Sequence, residues 1–140
     1  MISLKQAQDI VSGALAHGVA QSAKPLAIVV LDTGGHPVAT ARQDGASLFR
    51  HDIARSKAMG ALGMGSDTRI LAQRAASNPA FFQSLTAAVD GAIIFSPGGV
   101  LIRDGQGTLQ GAVGISGDTG EMDEAAAQAG ITLAGLEYAA

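Results

Sequence analysis

The stretch Leu26-Ala-Ile-Val-Val-Leu31, followed by Asp32-Thr-Gly-Gly35 and by Val38 to Arg42, decides the fold. Its first six residues are apolar and rich in β-branched side chains, which predicts a buried strand. Glycine tolerates the positive φ angles of tight hairpin turns, so residues 32–35 predict a turn into a second strand. The stretch therefore predicts an antiparallel β-hairpin.

Segments whose apolar residues recur at helical spacing precede and follow this hairpin. Ser3 and Gln6 have the spacing of a capping box, and the helix that they begin runs to about Ala23, before Pro25. Later apolar residues recur at the same helical spacing. They predict helices from Ser47 or Leu48 to the glycines at 60–65, from Ser66 to about Ala76, and from Asp118 or Thr119 to Glu137.

Three further apolar runs predict strands, at Gly91–Phe95, Val100–Ile102 and Leu109–Ile115, with Pro97-Gly98-Gly99 as a hairpin turn. The predicted order is α-β-β-α-α-β-β-β-α. Short links between strands imply antiparallel pairing, so residues 1–140 are predicted to form one α+β domain. Its five-stranded antiparallel sheet is flanked by helices.

The composition excludes several classes of protein. Hydrophobic residues make up 47% of the chain and charged residues 15%, which rules out intrinsic disorder. The 27 Ala and 19 Gly among 140 residues predict a core that depends on close approach of backbones. The absence of Cys excludes disulfides, thiol nucleophiles and zinc held by Cys.

Charge and hydropathy limit the kinds of partner that the chain can bind. A net charge of −3 argues against nucleic acid, and no apolar run is long enough to span a membrane. The first residues lack a signal-peptide pattern, which favours a cytoplasmic location. Residues 50–74 hold five cations against two carboxylates, whereas residues 104–140 hold six carboxylates and no Lys or Arg. This asymmetry indicates either two solvated helix faces or a basic pocket wall with complementary contacts in a homo-oligomer.

One predicted helix carries candidate catalytic residues. His51 and Arg55 are four residues apart and so project to the same side of the helix, with Arg50 and Lys57 nearby. A guanidinium binds a carboxylate through two hydrogen bonds, and an imidazole moves protons near neutral pH. The alternative is a solvated helix face whose cations pair with Asp52 or with the acidic C-terminal part.

Glycine-containing junctions are candidate ligand-binding segments. Ser116-Gly117-Asp118-Thr119 joins a predicted strand to a predicted helix, where backbone N–H groups bind anions. The pair Gly98-Gly99 is a similar junction. Both segments have a structural alternative as ordinary turns. His17 borders the apolar face of the first helix and is either a ligand or an edge residue. No metal-binding, phosphate-loop or dinucleotide motif is present.

Several segments together resemble the GlcG/HbpS family, the haem-binding-protein-like domain that also forms the C-terminal domain of PduO-type proteins. The segments that carry the resemblance, in family order, are Ile28–Ala39, Arg42–Ala46, Ile53–Ala58, Pro97–Ile102, Leu109–Gly117 and Asp123–Gly130. The resemblance covers nearly the whole chain. It implies a profilin-like α+β domain with a five-stranded antiparallel sheet, assembled into dimers, tetramers or octamers.

The resemblance also implies site residues. Some members bind haem through a histidine of the first helix, which corresponds to His17 here, so that haem is the implied cofactor. Asp32, Arg42 and Lys57 match positions of the family pattern. The chain departs from that pattern at Arg50, His51 and Arg55, which make the second helix more basic than in other members.

Three functions remain open at this point. The first is a binding protein for haem or a related planar cofactor at a subunit interface, with His17 as the iron ligand. The second is a cofactor-independent catabolic enzyme for a small aromatic or muconate-like carboxylate. The third is an accessory protein without a small ligand. The candidate catalytic residues are His51, Arg55 and Lys57, and the candidate ligand-binding residues are His17, Asp32, Arg42, Arg50, Gly98, Gly99, Ser116 and Gly117.

Overall fold

The computed structural model describes residues 1–139. The elements follow the order α1 (Leu4–Ala20), β1 (Ala27–Asp32), β2 (Pro37–Arg42), α2 (Arg50–Met64), α3 (Thr68–Ser77), α4 (Pro79–Ala88), β3 (Gly99–Arg103), β4 (Leu109–Ser116) and α5 (Gly120–Leu133). The four strands form an antiparallel sheet in the order β2-β1-β4-β3. Ser3 caps α1 in a capping box with Gln6, as the sequence predicts.

Helices cover both faces of the sheet. Successive side chains of a strand point to opposite faces, and in β1 the two faces are buried against different layers. Ile28 and Val30 belong to the core beneath α1 and α5, while Val29 and Leu31 belong to a second core beneath α2. All four side chains are fully buried. This explains why β1 reads as a continuous apolar run rather than as an alternation.

The prediction of a fifth strand at Gly91–Phe95 is wrong, because residues 92–95 pair with no strand. Ile93 packs instead on α2 at Gly60, where a Cβ would lie 2.6 Å from its Cγ1 atom. The segment Pro97-Gly98-Gly99 is therefore not a hairpin turn. It leads from this unpaired segment into β3.

The outer edge of β3 is covered, which explains why the segment leading into it does not pair there as a fifth strand. Thr68 Oγ1 accepts a hydrogen bond from Gly99 N at 2.8 Å, and Asp67 Oδ1 accepts one from Leu101 N at 2.8 Å. Further along, Arg103 and Glu137 exchange two backbone hydrogen bonds of 2.8 Å. Two side chains and a single β-bridge thus form hydrogen bonds with backbone groups of an edge strand that could otherwise pair with another strand.

One helix is absent from the predicted order, and one helix boundary differs from the prediction. The additional helix, α4, begins at Pro79, since proline at the first helical position lacks only an N–H that would be unpaired there. The last helix ends at Leu133 rather than at Glu137, because Gly135 adopts a left-handed φ of 75° and Glu137 pairs with Arg103. No helix in the described part of the chain is both long and apolar enough to cross a membrane.

Glycines bring backbones into direct contact at the layer boundaries. A Cβ at Gly13 of α1 would lie 2.9 Å from the Cα atom of Gly130 in α5. A Cβ at Gly114 of β4 would lie 2.8 Å from the backbone nitrogen of Ala58 in α2 and would overlap the carbonyl oxygen of Ala54. The helices therefore sit closer to each other and to the sheet than side chains would permit.

We expect Gly114→Ala to lower the free energy of unfolding by about 1–3 kcal/mol, because the added methyl group must push α2 away from β4. Urea unfolding measures the change. Gly105→Ala is the matched control, since nothing lies within 4 Å of a Cβ at that turn position. Equal stability of the Gly114→Ala variant and the wild-type protein would show that the contact between α2 and β4 is not tight.

Candidate functional site

The side chain of Lys57 joins the two helical layers at the end of the sheet. It leaves α2, passes Gly98, and places Nζ 3.1 Å from Asp123 Oδ2 of α5 and 2.9 Å from the carbonyl oxygen of Ile115 in β4. The side chains of Lys57 and Asp123 are only 3% and 2% exposed. A Cβ at Gly98 would lie 2.9 Å from Nζ, so that this position has no room for a side chain.

Burial disfavours the charged forms of Lys57 and Asp123. Desolvation lowers the pKa of Lys57, and the Coulombic repulsion of Arg50 adds to that effect, while the attraction of Asp123 opposes it. Desolvation likewise raises the pKa of Asp123, and Lys57 and the N–H of Asp118 offset only part of this change. The pair therefore holds the layers together by geometry and hydrogen bonding rather than by a large net electrostatic gain.

The predicted anion cradle at Ser116-Gly117-Asp118-Thr119 uses its own N–H groups. The N–H of Asp118 donates to Asp123 Oδ1 at 3.0 Å, and the N–H of Thr119 donates to Asp118 Oδ1 at 2.7 Å. Asp118 Oδ2 also accepts a hydrogen bond from the N–H of Lys24, which lowers the pKa of Asp118. The carboxylates of this segment therefore occupy the donors that an anionic ligand would need.

Arg50 is the cation that remains available at this end of the sheet. It begins α2, is half-buried, and donates from Nη1 to Ser116 Oγ at 3.2 Å. The structure thus brings together six of the predicted site residues, namely Arg50, Lys57, Gly98, Gly99, Ser116 and Gly117.

Other candidates lie apart from this group. Arg55 is exposed and His51 is half-buried, and neither side chain forms an ion pair in the described chain. Because Arg55 and Lys57 are two residues apart on α2, they point to different sides of the helix. Lys57 is closed off from solvent, whereas Arg55 faces it.

Two more candidates hold turns in place. Asp32 Oδ1 accepts hydrogen bonds from the N–H groups of Gly34 at 2.9 Å and His36 at 3.0 Å, and the bond from His36 lowers the pKa of Asp32. Arg42 donates from Nη1 to the carbonyl oxygen of Ala46 at 2.9 Å. Both residues act within the hairpin and its following turn.

His17 lies in the last turn of α1 and is half-buried. The ion pairs of the described residues include His36 but not His17. Leu133 of α5 is 61% exposed, and its Cβ and Cδ2 atoms lie 3.0 Å from the position of a Cβ at Gly13. Since Gly13 is one helical turn before His17, the imidazole and this leucine share one surface.

Asp123 is not among the residues predicted for the site. Its sign in the sequence is its position four residues into a helix whose next turn is apolar, where a carboxylate faces the core. Asp67, whose pKa is raised by burial, and Thr68 were also missed. Their role depends on β3, which is more than 30 residues away in the chain.

Within residues 1–139, the Lys57 region belongs neither to a metal cluster nor to the three surface cavities described next. The described residues contain no group of three or more His, Asp or Glu side chains placed to hold a metal ion. Three surface cavities lie elsewhere: between α1 and β2, between α3 and α4, and between α2, α4 and residues 89–93. Arg50, His51 and Lys57 line none of these three.

The fold and these surfaces define a small α+β protein with a covered four-stranded sheet and candidate ligand-binding residues on its helices. The family model described as "haem degrading protein HbpS-like" matches residues 2–132. The chain therefore belongs to the HbpS-like family, which confirms the resemblance seen in the sequence. Comparison with curated proteins gives no match.

Solved structures share this fold along nearly the whole chain. A PduOC:haem complex is 24% identical with a TM-score of 0.87, and the match covers 97% of this chain and 96% of that one. Protein ORFY of Klebsiella pneumoniae is 25% identical with a TM-score of 0.86, covering 95% and 90%. A double mutant of HbpS from Streptomyces reticuli is 26% identical with a TM-score of 0.79, covering 94% and 86%.

We expect Lys57→Met to lower the free energy of unfolding by about 3–5 kcal/mol near neutral pH, because it leaves Asp123 as a buried carboxylate without a cation. Burial already raises the pKa of Asp123 above its ordinary 3.8, and loss of Lys57 raises it further. The folded variant then favours the protonated acid. Its stability should therefore fall as the pH rises from 3.8 through the pKa of the folded state.

Urea unfolding at about pH 5 and about pH 8 measures this pH dependence. The control is the double variant Lys57→Met, Asp123→Asn, whose amide oxygen still accepts the hydrogen bond from Asp118 N but carries no charge. The double variant should lack the additional pH dependence. The interpretation fails if Lys57→Met shows the same pH profile as this control.

Proposed function

We propose that this protein binds haem, with the imidazole of His17 as an axial ligand of the iron. Membership of a family described by haem degradation supports the ligand class. The observation that carries the residue assignment is the half-buried His17 without an ion-pair partner, in a terminal helical turn beside the exposed Leu133. An imidazole nitrogen binds haem iron, and the porphyrin requires an apolar surface next to it.

The surface around His17 favours a site that a second copy of the chain completes. His17 lies on the outside of a helix and lines none of the three cavities described above. Leu133 is exposed there, at 61%. Homo-oligomers are commonly symmetric, so that two such surfaces facing each other would enclose a planar ligand from both sides. We therefore propose a haem site at a subunit interface.

We expect haemin to bind to the wild-type protein with a shifted Soret band, and His17→Ala to abolish the shift, because the variant lacks the iron ligand. Absorption titration measures the effect. His36→Ala and His51→Ala are matched controls, since these histidines lie at a hairpin turn and at the start of α2. A Soret shift that survives His17→Ala but disappears in either control would exclude this assignment.

A second candidate function is the binding of a small carboxylate at Arg50. Arg50 holds Ser116 through one guanidinium nitrogen, which leaves further N–H donors for a ligand. Its position near the ammonium of Lys57 makes the region locally cationic, and this proximity contributes to the lowered pKa of Lys57. Substrate carboxylates pair with arginine through two parallel hydrogen bonds. A reaction on such a ligand would make the protein a cofactor-independent catabolic enzyme.

We expect benzoate or muconate to raise the melting temperature of the protein, because a ligand that binds only the folded state stabilises it. Arg50→Gln should cancel the increase. Arg55→Gln is the matched control, since Arg55 is exposed on another side of α2. Thermal shift assays over a series of carboxylate concentrations measure the effect. If the Arg55 variant rather than the Arg50 variant loses it, the site lies on the solvent-facing side of α2.

A further inference from the structure

We propose that the cavity between α2, α4 and residues 89–93 binds a small uncharged apolar molecule, of the size of a single aromatic ring. The cavity has a volume of about 340 Å³. It lies on the α2 side of the sheet, whereas His17 lies on α1 in the opposite layer. The site is therefore distinct from the proposed haem site.

The lining of the cavity selects against charged ligands. Every lining residue is uncharged, and the larger side chains among them are those of Met59, Met64, Leu85 and Ile93. A carboxylate or an ammonium group would lose its hydration there without gaining a partner. Methionine side chains are flexible and polarisable, so that the two methionines can adapt to a ring.

The cavity is open to solvent at Gly63, which lines it and is exposed. Glycine inside a helix is unfavourable, so that its presence there needs a structural explanation. At Gly60 the explanation is steric, because a Cβ would overlap Ile93. Gly63 lies almost one turn later, and nothing lies within 4 Å of the position of its Cβ. Packing therefore does not require glycine at this position, and glycine leaves the opening of the cavity free of a side chain.

The size of the cavity determines the size of the ligand. Small-molecule sites span about 300–1,000 Å³, so that this cavity lies near the lower limit. An apolar cavity of about 150 Å³ is already large enough to hold benzene. The volume of this cavity therefore accommodates a monocyclic ring with a short substituent.

The wall formed by residues 89–93 is held in place by a chain reversal after α4. Asp90 and Gly91 both adopt left-handed backbone conformations, with φ angles of 55° and 77°. The N–H of Gly91 donates to the carbonyl oxygen of Thr86 at 2.8 Å, and the N–H of Ala92 donates to that of Val89 at 3.1 Å. These bonds place Val89 and Ile93 on the same cavity, so that the site is formed before a ligand arrives.

The test uses 2-phenylethanol and phenylacetate, which share a ring and a two-carbon chain but differ in charge. Methionine methyl NMR follows the titration, because two of the four methionines line the cavity and Met1 and Met122 do not. We expect 2-phenylethanol to shift the Met59 and Met64 signals in a saturable way and to leave the other two unchanged. Phenylacetate should bind at least about tenfold more weakly.

Gly63→Leu fills the cavity and should weaken 2-phenylethanol binding by at least about tenfold, while Gly63→Ala should weaken it less. Gly105→Leu is the matched control at an open glycine on a distant turn, and it should bind like wild type. Circular dichroism confirms folding, and Gly63→Ala serves as the test if the leucine variant is unfolded.

Three results of the binding measurements would overturn the proposal: no saturable shift of Met59 and Met64, unchanged affinity in the folded Gly63 variants, or equal binding of phenylacetate. Sedimentation of Gly63→Leu decides whether a second copy of the chain occupies the cavity instead. A loss of oligomers in that variant alone would assign the cavity to a subunit contact and would also overturn the proposal.

Discussion

The buried ion pair between Lys57 and Asp123 is the interaction on which the arrangement of the layers depends. A sheet covered on both faces separates its two helical layers, and the side chains of one layer do not normally reach the other. Lys57 reaches across at the end of the sheet, where its ammonium meets the Asp123 carboxylate and the carbonyl oxygen of Ile115. The path is open because residue 98 is a glycine.

The glycines of the helix and sheet contacts also determine where ligands can bind. Where glycines bring backbones together, as at Gly13 with Gly130 and at Gly114 with α2, the interior has no space for a ligand. Close packing of this kind leaves few internal voids. Binding surfaces then lie on the outer side of a helix, as at His17, at the end of the sheet, as at Arg50, or at positions such as Gly63, where a Cβ would meet no neighbour. The proposed sites are therefore peripheral and separate.

Local sequence patterns predict the parts of the fold whose cause is local. The capping box at Ser3 and the hairpin at residues 32–35 depend on residues within five positions of each other, and the structure confirms both. The segment 91–95 has the composition of a strand but not its environment. Its place beside β3 is taken by Asp67 and Thr68, which come from a distant part of the chain, so that no local pattern reveals the outcome.

The candidate site shows the same difference, within one helix, between features that local sequence predicts and features that depend on distant residues. The basic residues of α2 are predicted from the sequence as one cluster, although the periodicity of a helix places them on different sides. Arg50 and Lys57 are seven residues apart, about two turns, and so share the side that faces the sheet. Arg55 lies on a different side and remains exposed. Helical geometry alone could have divided the cluster, whereas the partner of Lys57 could not have been found without the path of α5.

A ligand at Arg50 would contact a side chain that adjoins the buried ion pair. Binding there would be sensitive to the link between the layers, whereas binding at Arg55 would not.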